Sequence, residues 1–252
     1  MIVGIDSFRE KFGKYPDCYT IIGGTACEIL LDQASLKFRA TNDIDMILIL
    51  EDKFSEFGSV FWEFIREGGY TCGLKKDENV QFFRFTDGKL GYPKRIELFS
   101  RKPGYNLEIE EGIVPIHIDD DTSSLSAILL NDDFYEFMME GRKIVDGLGI
   151  LGAEYLIPFK MYAWINFLER KRSGEHVNEK DLRKHKYDVF RLLQIVPSGT
   201  KVRTKGVVAE SIRKYIEEVK VLDEEQVDLL KLGLPFDREQ GVALLEEIYL
   251  NS

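Results

Sequence analysis

Two aspartates, Asp43 and Asp45, flank Ile44 where an apolar run begins, and Glu97 stands inside a second apolar run, Arg95-Ile-Glu-Leu-Phe99. Alternate residues of a strand project to one face, so the aspartates point the same way and Glu97 faces away from Ile96 and Leu98. Neighbouring carboxylates repel, which raises one pKa unless a cation lies between them. A divalent ion removes the conflict, and Mg²⁺ (or Mn²⁺) favours one or two carboxylates plus substrate phosphates. Asp43, Asp45 and Glu97 on two adjacent strands can therefore hold two metal ions and steer an in-line attack on phosphorus. A second feature precedes them. The β-rich run Cys18–Ile22 stops at Gly23-Gly24, and Thr25-Ala-Cys-Glu-Ile-Leu-Leu31 has helical character with Thr25 as expected N-cap. A strand, a glycine pair and a helix start aim backbone N–H groups at an anion. Gly23, Gly24 and Thr25 are thus candidate phosphate ligands, with Arg39 and Thr41 as further contacts. Each feature alone has a bland reading, since paired acids mark solvated strand edges and a glycine pair marks a turn. Their order along the chain is more specific than any one of them.

The elements that must position these residues follow from periodicity. Ile44–Leu50 reads as a strong strand, and Phe57–Glu67 as a helix with Phe57, Val60, Phe61, Phe64 and Ile65 at helical spacing, stopped by Gly68-Gly69. Val80–Phe85 and Arg95–Phe99 alternate as half-buried strands. Ile113–Ile118 and Leu125–Leu130 read as two further strands, Phe134–Glu140 as a short helix and Lys143–Val145 as an extended piece. From about Ala153 only helical patterns remain: Leu156–Arg170, Glu179–Gln194, Val207–Val219, Glu224–Leu232 and Glu239–Leu250. The expected architecture is α+β. A mixed sheet with flanking helices fills residues 1–150, a helical domain fills 151–252, and the boundary falls around Gly147-Leu-Gly149.

Composition bounds the rest. A chain of 252 residues with 44% hydrophobic and 31% charged residues is globular rather than disordered. A net charge of -10 argues against a surface that grips nucleic acid all over. One stretch runs the other way: Glu169 to Lys205 carries eleven Lys/Arg against five Asp/Glu. Three cysteines without a CxxC pair read as reduced thiols. Met1-Ile-Val-Gly-Ile-Asp lacks a basic leader, and no window reaches the roughly 18 apolar residues of a membrane span. A cytoplasmic protein with no membrane partner is expected. His117, His176 and His185 have no ligand-like spacing, so zinc is not expected.

The runs Ile22-Gly-Gly-Thr-Ala26 and Arg39-Ala-Thr-Asn-Asp-Ile-Asp-Met46, with Glu97 as a later acidic strand residue, resemble the signature of the nucleotidyltransferase (polymerase β-like) superfamily. Within it the chain most resembles the AbiEii/AbiGii abortive-infection toxin group. The resemblance implies Mg²⁺-dependent transfer of a nucleoside monophosphate from an NTP to an acceptor hydroxyl. It implies that the glycine pair holds the triphosphate and that the acidic trio holds metal and activates the attacking hydroxyl. It also extends to Pro158-Phe-Lys-Met-Tyr-Ala-Trp164, where Lys160 matches a nucleotide-binding lysine. In Lys180-Asp-Leu-Arg-Lys-His-Lys-Tyr-Asp188, Asp188 matches a base, with Lys186 beside it. For Lys160 the plain alternative is a snorkelling side chain, and for Asp188 an ion pair with Lys184. Eighteen residues separate Gly24 from Asp43, longer than most of the superfamily, which one more helical turn and a loop would absorb. The acceptors implied are an RNA such as a tRNA end, in a toxin that has an antitoxin protein as partner. A small molecule, as in antibiotic nucleotidyltransferases, is the alternative. The reading from a different class is a nucleotide-binding interaction module without turnover.

Overall fold

The computed structural model of the protein describes residues 2–49, 54–77, 80–99, 131–223 and 227–251. Ile5, Phe8 and Phe12 recur at helical spacing and form the buried stripe of α1 (Ile5–Phe12). Tyr19–Ile22 is β1, buried along its whole length, and leads directly into α2 (Gly23–Gln33). The next strand, β2 (Asp43–Leu48), is apolar at every position except its two aspartates. α3 (Phe54–Gly68) stops where the glycine pair places Gly69 at φ 67°, a backbone conformation that suits glycine. Three strands follow, β3 (Thr71–Asp77), β4 (Val80–Thr86) and β5 (Arg95–Phe99). After them come α4 (Asp132–Glu140) and the hairpin strands β6 (Arg142–Val145) and β7 (Leu148–Leu151). The remainder is helical: α5 (Ala153–Arg172), α6 (Glu179–Leu193), α7 (Gly206–Val221), one 3₁₀ turn at Leu230–Leu232, and α8 (Arg238–Tyr249).

The seven strands of the described residues form one sheet in the order β3-β4-β5-β2-β1-β7-β6. It is mixed: β2 runs parallel to β5 and antiparallel to β1, and β1 runs parallel to β7. The expected α+β architecture, a mixed sheet with helices followed by helices alone, is present. β2 lies at the middle of the order, so the aspartate pair falls on a strand paired on both sides. Phe8, Phe12, Tyr19, Phe57, Phe61 and Phe64 fuse α1, α3 and β1 into one aromatic cluster, with the Phe8 and Phe12 rings 4.5 Å apart. Full burial of such rings contributes about 1.5–3 kcal/mol each.

Contacts divide the chain into Met1–Thr122 with Arg142–Leu151, and Ser123–Gly141 with Gly152–Ser252. A single cut near residue 150 therefore misassigns α4, which packs against α5 and α7 in the helical unit. Other details also depart from the periodicity. Thr25 is not the N-cap of α2, because the helix already begins at Gly23, whose φ of 71° lets the strand turn straight into it. Gly149 lies within β7, where a side chain would strike the carbonyls of Pro16 and Tyr19 at 2.4 Å. β3 was not expected. Its Leu-Lys-Lys-Asp stretch lacks apolar alternation, and it forms through its pairing with β4. No α-helix fills the described part of Glu224–Leu232, where Val227 and Leu229 are buried and Gly233 ends the single 3₁₀ turn at φ 75°. The expected strands Ile113–Ile118 and Leu125–Leu130 lie outside the described residues.

Candidate active site

In the register of the sheet, Asp45 pairs with Ile22 of β1 on one side and with Glu97 of β5 on the other. Asp43 pairs in the same way with Arg95. Alternation therefore gathers Asp43, Asp45, Arg95 and Glu97 on one face, while Ile44, Met46, Ile96 and Leu98 are buried. Glu97 is only 6% exposed, so its charge needs partners in place. It has two. Arg84, its register partner on β4, donates from Nε to Oε1 at 2.7 Å, and Arg95 Nε approaches the same oxygen at 3.3 Å. Arg95 also donates from Nη2 to Oδ2 of Asp43 at 2.5 Å. Burial works against the charge of Arg95, but Glu97, Asp43 and Asp45 outweigh it and raise its pKa above the ordinary guanidinium value.

The glycine pair is tied to the same carboxylates. A β-carbon at Gly23 would lie 1.9 Å from Oδ2 of Asp45, so only glycine lets the start of α2 approach that side chain. At Gly24 a β-carbon would meet the Thr41 methyl at 2.8 Å and Arg39 Nη1 at 3.5 Å. Ile22, at the N-cap of α2, has no side-chain group to cap the helix. The N–H groups of a first helical turn lack acceptors within the helix and carry its positive dipole end. These are the features of an anion seat. Arg39, stacked on Phe38 at 4.5 Å, adds a cation beside Gly24.

Thr25 and Thr41 take part differently from a simple phosphate contact. Thr25 is fully buried, and its hydroxyl donates to the carbonyl of Asp43 at 2.5 Å. Thr41 donates from both its backbone N–H and its hydroxyl to Glu28 Oε2, at 3.0 and 2.8 Å. Each hydroxyl has one proton, and here both protons fasten the Thr41–Asp43 segment to α2. Glu28, Arg84 and Arg95 are site residues that motif reasoning missed. Alternation marks Arg95 as sharing the Glu97 face. Nothing in the sequence marks Arg84 or Glu28, which depend on strand register and on the packing of α2.

A divalent cation fits the donor set in part. Asp43, Asp45 and Glu97 share a face, and the hydrogen bonds from Arg95 and Arg84 engage Oδ2 of Asp43 and Oε1 of Glu97. Among the described residues, however, no three His, Cys, Asp or Glu side chains are grouped closely enough to hold an ion together. The guanidinium of Arg95 lies between two of the three acids.

The helical unit brings its own candidates together. Lys160 on α5 and Asp188 on α6 are 3.7 Å apart, with their side chains 5% and 0% exposed, and Arg191 reaches Asp188 Oδ1 at 3.3 Å. Lys184 bonds Asp181 rather than Asp188. Lys186 stands 5.0 Å from the Tyr187 ring, and burial, followed by the charge of Arg183, pushes its pKa below the usual lysine value. The basic stretch from Glu169 to Lys205 is partly offset. Arg170, Lys171, Arg172, Lys201 and Lys205 pair with Glu175, Glu179, Glu218, Glu247 and Glu136. No helix among the described residues is long and apolar enough to cross a membrane.

No known family profile matches the chain, and no characterised protein matches it in sequence. In structure it is similar to an antigenic nucleotidyltransferase-like protein from Paracoccidioides brasiliensis, with 11% identity and a TM-score of 0.45 over 98% of this chain and 94% of that one. It is also similar to JHP933 from Helicobacter pylori, with 16% identity and a TM-score of 0.41 over 96% and 85%.

Proposed function

We propose that the protein is a nucleotidyltransferase that moves a nucleoside monophosphate from an NTP to an acceptor hydroxyl. One observation carries the reading: the start of α2 meets Asp45 at Gly23, while Asp45 stands in register with Glu97 and shares a face with Asp43. A phosphate seat and a carboxylate group are thus adjacent, as transfer to phosphorus requires. In this reading the N–H groups of Gly23, Gly24 and Thr25 and the guanidinium of Arg39 bind the triphosphate. Asp43, Asp45 and Glu97 would hold Mg²⁺ or Mn²⁺, which when bound supplies Lewis-acid stabilisation of the phosphoryl group. The acceptor oxygen attacks the α-phosphorus, a carboxylate of the trio takes its proton, and the bond to the β-phosphate breaks to release pyrophosphate. Thr25 and Thr41 act by fixing the strand that carries Asp43. For Lys160, Lys186 and Asp188 the superfamily resemblance supports a part in nucleotide binding and proton transfer. The cation excess between Glu169 and Lys205 supports RNA as acceptor over a small molecule.

The test is to incubate the protein with each α-labelled NTP, Mg²⁺ or Mn²⁺, and total RNA or a small-molecule panel. Label should enter RNA with the wild type and be lost in Asp43→Ala and in Asp45→Ala, with circular dichroism unchanged. Transfer retained in either variant removes the mechanism. Label in the small molecules alone removes the RNA acceptor but keeps the enzyme.

A further inference from the structure

We propose that Phe38 is a positioning residue for triphosphate binding: its ring holds the guanidinium of Arg39 beside the phosphate seat at the start of α2. The inference rests on the transferase reading through that seat alone. Its ground is the placement of two neighbouring side chains. The guanidinium carbon of Arg39 lies 4.5 Å from the centre of the Phe38 ring. Nη1 of the same group lies 3.5 Å from where a β-carbon at Gly24 would stand. Phe38 is half-buried and stands outside the buried core. A phenyl ring placed there gains less from apolar burial than one in the core. The contact it makes is with a cation at the site.

Arg39 gains from such a restraint. Residues 36–42 form neither helix nor strand, so no element fixes the direction of its side chain. Thr41, two residues on, is anchored to α2 through Glu28, which brings the segment to the seat without orienting the guanidinium. A long side chain that is ordered only on binding costs affinity. An aromatic ring under the cation restricts it beforehand. The contact occupies the face of the guanidinium, while its N–H donors lie in the plane of the group and remain directed outwards, where phosphate oxygens accept them in pairs. Phe38 acts through Arg39 and forms or breaks no bond of the substrate.

The experiment measures binding of inorganic tripolyphosphate and of ATP by isothermal titration calorimetry. Phe38→Leu should weaken both by about three- to ten-fold, the range of a cation–π contact at a partly exposed site, and Phe38→Tyr should retain the affinity. In an Arg39→Gln background Phe38→Leu should have no further effect. An equal loss in that background shows that the ring acts without Arg39 and overturns the proposal. Tripolyphosphate has no base, so a loss confined to ATP means that the ring meets the nucleobase instead, which also overturns it. Unchanged affinity in a folded Phe38→Leu overturns the role of Phe38 and leaves the transferase reading intact. Absence of binding of either probe to the wild type brings down the phosphate seat and this inference together. Should Phe38→Leu fail to fold, a pentafluorophenyl ring introduced at residue 38 alone keeps the shape and reverses the charge distribution of the ring face. Affinity for tripolyphosphate must then fall, and affinity that stays the same overturns the proposal.

Discussion

Replacing Gly23 by alanine tests the central geometry, because two separate costs act at that position. The first is conformational. Gly23 sits at φ 71°, where an L side chain costs about 1–2 kcal/mol. The second is steric and belongs to Asp45. The new β-carbon would lie 1.9 Å from Oδ2 and 3.1 Å from Cβ of that residue, so the carboxylate must swing out of its place. Forcing such a side chain off its rotamer costs about 0.5–1.5 kcal/mol. Gly23→Ala should therefore lose about 2–3 kcal/mol of stability in urea unfolding. In an Asp45→Ala background the carboxylate is absent, and the conformational cost remains with only the 3.1 Å approach to Cβ. A double-mutant cycle should give a coupling energy of about 1 kcal/mol between the two positions. If Gly23→Ala is equally costly with and without the Asp45 carboxylate, the two groups do not share the space assigned to them and the site geometry is refuted.

Three further outcomes follow from side chains already described. Asp188→Leu leaves the buried Lys160 charge without the carboxylate 3.7 Å away and should cost about 3–5 kcal/mol in chemical denaturation, while Lys160→Met, which leaves Asp188 its bond from Arg191, should cost less, and the double variant should cost less than the two single costs summed; two single costs that simply add would show that the pair is not coupled. Thr25→Val removes the hydroxyl that holds the Asp43 carbonyl and should cost about 1–3 kcal/mol, and unchanged stability would show that the bond contributes nothing. Tyr19, Tyr70, Tyr215 and Tyr249 donate their hydroxyls to backbone carbonyls, and burial raises each phenol above its ordinary pKa. A phenol with a higher pKa folded than unfolded lends stability that is complete below about pH 10 and is lost as pH rises towards the folded value. Tyrosinate absorbance should therefore climb together with loss of circular dichroism above about pH 10, and ionisation of all tyrosines in a still-folded protein would contradict the burial.

What the sequence revealed was whatever alternation and punctuation encode. The aspartates, Glu97 and the strand Arg95–Phe99 were legible because period-two alternation dictates the face on its own. α3 was legible from its apolar stripe and the glycines that end it. Three things were hidden. The register that sets Asp45 opposite Glu97, and Arg84 beside both, is a property of strand pairing rather than of any one strand. Gly149 marked the expected domain boundary, while its lack of a side chain answers a close approach of backbone from the Pro16–Tyr19 segment. The turn at Gly23-Gly24 was legible, but its contact with Asp45 was not. The two motifs of the site require each other sterically, whatever the ligand.

The order of strands has a consequence for how the chain is made. β7 lies beside β1, yet some 125 residues of chain, α4 included, are translated between them. During synthesis the flank of β1 stays open until residue 151 has left the ribosome, long after the strands bearing the carboxylates have emerged. A nascent chain stalled or cleaved before that point exposes a bare strand edge, the kind of surface that recruits chaperones or a second unfinished chain.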